Sequence, residues 1–297
     1  MKFLDSRPGG AARLRELLAG SDPVLAPGVY DALGGRLVEE AGFDAVYMTG
    51  FGTAASLLGR PDVGLLTMTE MVGNAARIVR ATSLPVIADA DTGYGNALNV
   101  IRTVQEYERA GVAAIHLEDQ VAPKKCGHIE GKQVVAQEEM VAKIRAAVAT
   151  RQSPEFVIIA RTDARAVEGL QSALDRARRY RDAGADMLFV EALQSEEEIE
   201  VVATELRGVP LLFNWVEGGK TPPLAYDRLR DLGFRLVIFP VGTLLAATQA
   251  IRSVLAETRA AGTPIPVVDR LLGFQGFVQF IGLPEIQELE RRFASDS

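Results

Sequence analysis

Four stretches of the chain repeat one pattern: an amphipathic run, a glycine, then a short unbroken apolar segment. They span 41–49, 110–118, 183–191 and 232–240, with the breaks at Gly42, Gly111, Gly184 and Gly233. A glycine in that place can take the left-handed conformation that closes a helix. The apolar segment behind it is continuous rather than alternating, as a parallel strand covered on both faces requires. Further apolar runs lie at 24–27, 85–89, 156–161 and 210–214, and amphipathic stretches at 98–110, 138–151, 170–183, 195–206 and 224–232 separate them. Eight strands alternating with helices predict an α/β fold, a (β/α)8 TIM-type barrel. An open doubly wound sheet would want a glycine-rich dinucleotide or phosphate fingerprint, and neither GxGxxG nor GxxxxGK[ST] stands at a strand-to-helix turn.

Beyond the eighth strand, 244–261 reads as helix and the segment 262–266, rich in glycine and proline, breaks it. The tail holds an apolar piece at 271–283 and a charged amphipathic helix at 284–293. The expected division is a catalytic barrel over 1–262 and a C-terminal helical extension over 263–297. Phe274, Phe277 and Phe280 recur at three-residue spacing and give the tail one apolar face. Such a face can dock on a neighbouring subunit or on its own barrel, and spacing leaves both open.

Composition narrows the partners. Against 32 lysines and arginines stand 39 acidic residues, a net charge of −7. An acidic surface does not attract a phosphate backbone or anionic lipid headgroups, so neither nucleic acid nor membrane is expected as a partner. No apolar run reaches the roughly 18 residues that span a bilayer, and the charged start lacks the apolar core of a secretory signal. The single cysteine, Cys126, cannot form an internal disulfide. A reducing compartment, the cytoplasm, is the expected location.

Barrel enzymes place their chemistry at the carboxyl ends of the strands. Here those ends read Thr49 and Gly50, Asp89 and Asp91, Glu118 and Asp119, Arg161 with Asp163, Glu191, and Asn214. Emergence into water explains polarity but not carboxylates on neighbouring strands. Asp89, Asp91, Glu118 and Asp119 are expected to converge, and clustered carboxylates repel unless a cation neutralises them. All-oxygen ligation without histidine or cysteine suits Mg²⁺, with Mn²⁺ as a substitute. His116, inside an apolar strand, reads as an interior histidine rather than a ligand. The loop 123–132 carries Cys126 between Lys124, Lys125 and His128, a positive field expected to lower the thiol pKa. Gly127 and Gly131 make the loop pliable, as a closing lid requires.

The run Lys124, Lys125, Cys126, Gly127, His128 resembles the KKCGH signature of the isocitrate lyase / phosphoenolpyruvate mutase superfamily. The segments 89–96, 116–120, 159–163 and 214–218 match further motifs of that family. The resemblance implies a (β/α)8 barrel, Mg²⁺, and homotetramers built as dimers of dimers that exchange a C-terminal helical segment. Carried over by position, Asp89 and Asp91 resemble the metal-site acids, with Asp62 and Glu118 helping through water. Thr49, Gly50 and Phe51 resemble the loop that receives the substrate, Arg161 its carboxylate clamp, and Glu191, Asn214 and Gly127 groups lining it. Cys126 resembles the proton donor, with His128 beside it.

Members that act on phosphoenolpyruvate or phosphonopyruvate generally lack the Cys-Gly-His loop, so this chain resembles the lyase branch or the carboxyphosphonoenolpyruvate mutase that shares it. Methylisocitrate lyases hold a third carboxylate with extra arginines after strand eight and in the tail. Here 241–246 has no arginine, and Phe274 stands where the tail arginine is expected. A buried carboxylate without its partner costs several kcal/mol. The resemblance therefore implies a Mg²⁺-dependent carbon–carbon lyase for a small anionic 2-hydroxy dicarboxylate of the alkylmalate or dimethylmalate type, releasing a 2-keto acid. Carboxyphosphonoenolpyruvate phosphonomutase and oxaloacetate hydrolase are the alternatives within one pocket, and a silent oligomeric binding protein is the alternative outside catalysis. The general base stays open among Glu191, a metal-bound hydroxide and other carboxylates.

Overall fold

The computed structural model describes residues 9–294. These fall into two compact units, one ending at Leu244 and one running from Leu245. The first is the barrel. Its strands are β1 (Val24–Val29), β2 (Val46–Met48), β3 (Val86–Asp89), β4 (Ala114–Glu118), β5 (Val157–Thr162), β6 (Met187–Val190), β7 (Leu212–Asn214) and β8 (Leu236–Phe239). They run parallel in the order β6-β5-β4-β3-β2-β1-β8-β7, and a parallel bridge between Leu188 and Leu211 joins the two ends.

The helices are α1 (Gly10–Leu18), α2 (Ala32–Glu40), α3 (Gly50–Leu58), α4 (Met68–Ala81), α5 (Ala97–Arg109), α6 (Gln137–Thr150), α7 (Ala164–Val167), α8 (Leu170–Asp182), α9 (Glu196–Glu205), α10 (Tyr226–Asp231), α11 (Gly242–Ala261), α12 (Phe274–Phe280) and α13 (Leu283–Phe293). Both the strand runs and the helical runs expected from the pattern appear, within a few residues at their ends.

The four repeated glycines act alike. Gly42, Gly111, Gly184 and Gly233 have φ of 82°, 86°, 103° and 84°, a region that costs other residues strain. After each, the next amide turns back onto the helix, as in Val112 N to Tyr107 O at 3.2 Å and Phe234 N to Leu229 O at 3.1 Å. The chain is thereby aimed into the following strand.

Two layers of core result. Side chains facing the axis, among them Tyr47, Ile87, Ile159, Met187, Phe189 and Leu236, fill the barrel, with Leu14 of α1 packed among them. Those facing outward, such as Met48, Ile115, Ile158 and Leu188, pack under the helices. His116 is fully buried in the inner layer and bonds the Tyr47 hydroxyl at 2.8 Å. Burial pushes its pKa down to about 4, so it is neutral there.

The second unit comprises the rest of α11, a 3₁₀ turn at Ile265–Arg270, α12 and α13. Arg270 pairs with Glu257 at 2.5 Å within it. Phe274 is 76% exposed, and Ile251, Leu255, Leu272 and Phe293 are exposed with it. No described helix is long and apolar enough to cross a membrane.

Candidate active site

Alternation along each strand decides what faces the mouth. In β4, Ala114, His116 and Glu118 share one face while Ile115, Leu117 and Asp119 share the other. The inner layer holds Ala114 and the outer layer Ile115 and Leu117, so Glu118 points inward. The same frame turns Thr49, Asp89, Arg161, Glu191 and Asn214 toward the axis. Asp119 is a correction to the sequence reading, since it leaves the acidic group. It accepts from Thr162 Oγ1 at 2.7 Å, Asp163 N at 2.9 Å and Tyr180 OH at 2.8 Å, under the helices. Adjacent residues of a strand cannot face the same side.

The remaining acids gather around a lysine. Lys124 Nζ lies 2.7 Å from both Asp62 Oδ2 and Asp91 Oδ1. Asp89 accepts from the Asp91 amide at 2.9 Å and lies 3.6 Å from His116 Nε2. Burial, with Asp89 and Asp62 nearby, raises Asp91 to about 6 although Lys124 opposes it. Burial likewise lifts Glu118 well above the usual carboxylate range, against the pull of Arg161.

Among the described residues, no three acidic, histidine or cysteine side chains stand close enough to enclose an ion by themselves. The acids nevertheless fit a hard cation that keeps several waters. Both oxygens of Glu118 are buried without a hydrogen bond, and Asp91 Oδ1 has only the lysine pair. Asp89 is flanked by bare backbone, because a Cβ on Gly50 would sit 2.3 Å from its Oδ2. A divalent ion would hold Asp91 and Glu118, the two raised carboxylates, ionised.

Thr49, Gly50 and Phe51 form the start of α3 rather than a free loop. The Thr49 side chain caps that helix by accepting from Gly52 N at 3.2 Å. Gly50, at the positive end of the helix dipole, lies directly against Asp89.

Arg161 is the hub of the opposite side. Its guanidinium grips Asp163 with two bonds of 2.9 and 3.1 Å, lies 3.1 Å from Glu118 and 3.4 Å from Glu191, and stands 5.2 Å over the Phe189 ring. Burial opposes ionisation of Glu191, but Arg161 and His128 hold it well below the usual carboxylate range. Asn214 Nδ2 donates to both oxygens of Glu191, at 3.3 and 3.0 Å, and leaves its own Oδ1 without a partner. Trp215 turns aside, donating from its indole to Leu224 O at 3.2 Å and packing on Phe239.

The flap between β4 and α6 closes onto this group. A Cβ on Gly127 would lie 2.5 Å from Glu191 Cγ and 2.7 Å from an Arg161 nitrogen, so the backbone itself touches both. Cys126 N bonds Asp62 O at 3.1 Å. His128 Nδ1 accepts the Lys220 amide at 3.0 Å, which leaves Nε2 to carry the proton, 3.4 Å from Glu191.

The thiol corrects a second expectation. Burial, and then Asp62 and Glu191, push Cys126 up to about 11, although the His128 amide on its sulfur pulls the other way. The neighbouring lysines do not offset this, because Lys124 is spent on Asp62 and Asp91 and Lys125 reaches Gly131 O at 2.9 Å. Lys132 is a functional candidate that the sequence does not single out, its only signal being its place in an acidic chain on the loop with the single cysteine. Lys124, expected to act on the thiol, pairs with Asp62 and Asp91.

Residues 14–259 match the model of the phosphoenolpyruvate phosphomutase family. The chain is 50% identical over 285 residues to 2,3-dimethylmalate lyase of Eubacterium barkeri, covering 96% of this chain and 98% of that protein. It is 46% identical to 2-methylisocitrate lyase of Aeropyrum pernix, over 95% of this chain and 90% of that one. Among solved structures, a 2,3-dimethylmalate lyase described as a member of the PEP mutase/isocitrate lyase superfamily superposes with a TM-score of 0.92 at 42% identity, covering 98% of both chains.

Proposed function

The chain belongs to the phosphoenolpyruvate phosphomutase family, and on that premise we propose that it is a metal-dependent carbon–carbon lyase for a small 2-hydroxy dicarboxylate of the dimethylmalate type. One observation carries the reading: the flap that bears the sole cysteine lies against Arg161 and Glu191 at Gly127, across from Asp89, Asp91 and Glu118. A relative named for dimethylmalate cleavage at 50% identity supports the choice of substrate class.

Asp89 and Asp91 would hold the metal, Mg²⁺ or in its place Mn²⁺, with Asp62 and Glu118 helping through water. When bound, such an ion chelates a 2-hydroxy acid and neutralises charge that develops during cleavage. Arg161 and the first turn of α3, with Thr49, Gly50 and Phe51, bind the substrate's carboxylates. Gly127 and Asn214 line the pocket and Glu191 orients Asn214 and His128. A base takes the 2-hydroxyl proton, the C2–O bond becomes the carbonyl of the 2-keto acid, and the C2–C3 bond breaks to leave its electron pair on an enolate-like fragment. Cys126 gives its proton to that fragment's carbon, which is far more basic than a thiolate. A thiol with a raised pKa is protonated before the reaction, as a donor must be. Closure of 123–132 excludes water from the anion.

The position after β8 favours two carboxylates over three. Residues 241–246 hold no arginine for a third carboxylate, and a Cβ on Gly242 would lie 2.2 Å from Glu217 Oε1, so a chain carboxylate abuts the start of α11. Incubation with Mg²⁺ and 2,3-dimethylmalate should release a 2-keto acid, EDTA should abolish the release, and methylisocitrate should react far more slowly. Silence on every malate with turnover of carboxyphosphonoenolpyruvate, or of oxaloacetate to oxalate and acetate, would replace the lyase reading by one of those.

Gly127→Ala should lower kcat about 10²-fold, the scale of a displacement of about 1 Å at reacting groups. Its thermal midpoint should stay near wild type, since only closure is blocked; unchanged kcat would show that the flap tolerates the methyl. The extension 263–297, with its exposed phenylalanine face, is proposed to exchange between subunits in a homotetramer. Phe274→Asp combined with Phe277→Asp should then shift the light-scattering mass toward monomer, whereas an unchanged mass would refute tail-mediated assembly.

A further inference from the structure

Three lysines on the flap take three different directions. Lys124 serves the acids, Lys125 is half-buried and bonds the flap's own Gly131, and Lys132 is buried against the barrel. Lys132 Nζ donates to the carbonyl of Gly127, immediately after the thiol, and lies 3.3 Å from Asp163 Oδ1. That same oxygen accepts from Arg161 at 3.1 Å, and the other Asp163 oxygen accepts from Arg161 Nε at 2.9 Å. The Asp163 backbone is in turn fixed by Asp119 at 2.9 Å.

Arg161 holds Asp163 with two bonds but is shared with Glu118 and Glu191, so Lys132 is a second cation at Asp163 and not its anchor. Taking an ammonium out of water costs several kcal/mol unless it gains partners. The partners it gains are one atom of the flap and one atom of the arginine's anchor. We infer that Lys132 is a positioning residue for the lyase reaction: it latches the Gly127 carbonyl to Asp163, so that the flap closes only onto a correctly held Arg161. The inference deepens the lyase reading for its catalytic role, but the latch itself is measurable without substrate.

Cys126 is the sole cysteine, so iodoacetamide adducts counted by mass report flap opening. Lys132→Met should be alkylated at least tenfold faster than wild type, and Lys132→Gln, which can still donate to Gly127 but pairs no charge with Asp163, at an intermediate rate. Loss of a nearby positive charge disfavours the thiolate, so acceleration cannot come from electrostatics. With dimethylmalate, kcat should fall about tenfold with KM changed less than threefold, and Lys132→Arg should recover most of it. Alkylation within twofold of wild type in both variants overturns the latch, as does failure of both to fold, which would make the residue structural. A wild type inactive on every malate but with accelerated alkylation in Lys132→Met would remove the lyase reading and leave the latch standing.

Discussion

Alanine at position 126 is expected to lower kcat for dimethylmalate cleavage by about 10³-fold, within the usual range for loss of a positioned proton donor. Divalent-ion binding, read by calorimetry, should be unchanged, because the hydrogen bond from Cys126 to Asp62 is made by the backbone amide, which alanine keeps. The size of the effect follows from where the sulfur stands. It is held protonated by burial beside Asp62 and Glu191, on a flap whose next residue touches Arg161 and Glu191. With the thiol gone and the flap shut, no other described cysteine can donate, and solvent is kept from the anion. Deuterium from the solvent should enter the wild-type product at one face of the carbon, and a Cys126→Ala enzyme that retains a tenth of wild-type turnover would remove the thiol from the reaction.

The second large effect is on stability. Arg161→Met is expected to cost about 3–5 kcal/mol, since it strips a buried cation from Asp163, Glu118 and Glu191 at once. For a barrel of this size that corresponds to a fall of about 10 °C in the thermal midpoint. Arg161→Lys should recover little, because one ammonium cannot reproduce the two-bond grip on Asp163 and still reach the other two carboxylates. Activity should vanish in both variants through loss of the carboxylate clamp. A Met variant melting with wild type would mean that these acids are neutral in the folded protein and need no cation.

Both effects depend on contacts whose legibility in the sequence differs. The barrel was readable because each unit carries its own local instruction: a helical stripe, a glycine that stops it, and an apolar strand. Gly42, Gly111, Gly184 and Gly233 act within a few residues of themselves, so their spacing is enough. Strand ends were readable for the same reason, and with them Asp89, Glu118, Arg161, Glu191 and Asn214 at the mouth.

Direction was harder. Glu118 and Asp119 are neighbours of one charge and similar chemistry, yet one faces the axis and the other bonds Tyr180 under the helices. Alternation requires that they part, but which one turns inward depends on the register of β4 between β3 and β5.

The flap shows the limit most clearly. Its order of residues determined that a thiol, two adjacent lysines and a histidine would travel together on a pliable loop, and composition determined that they would be positive islands in an acidic chain. Only the folded barrel decided that Lys124 would meet Asp62 and Asp91, that Lys132 would meet Asp163, and that the thiol would be raised rather than lowered. A long side chain can place its charge several ångströms to either side of its backbone, and Coulomb energy follows distance and burial, not order along the chain.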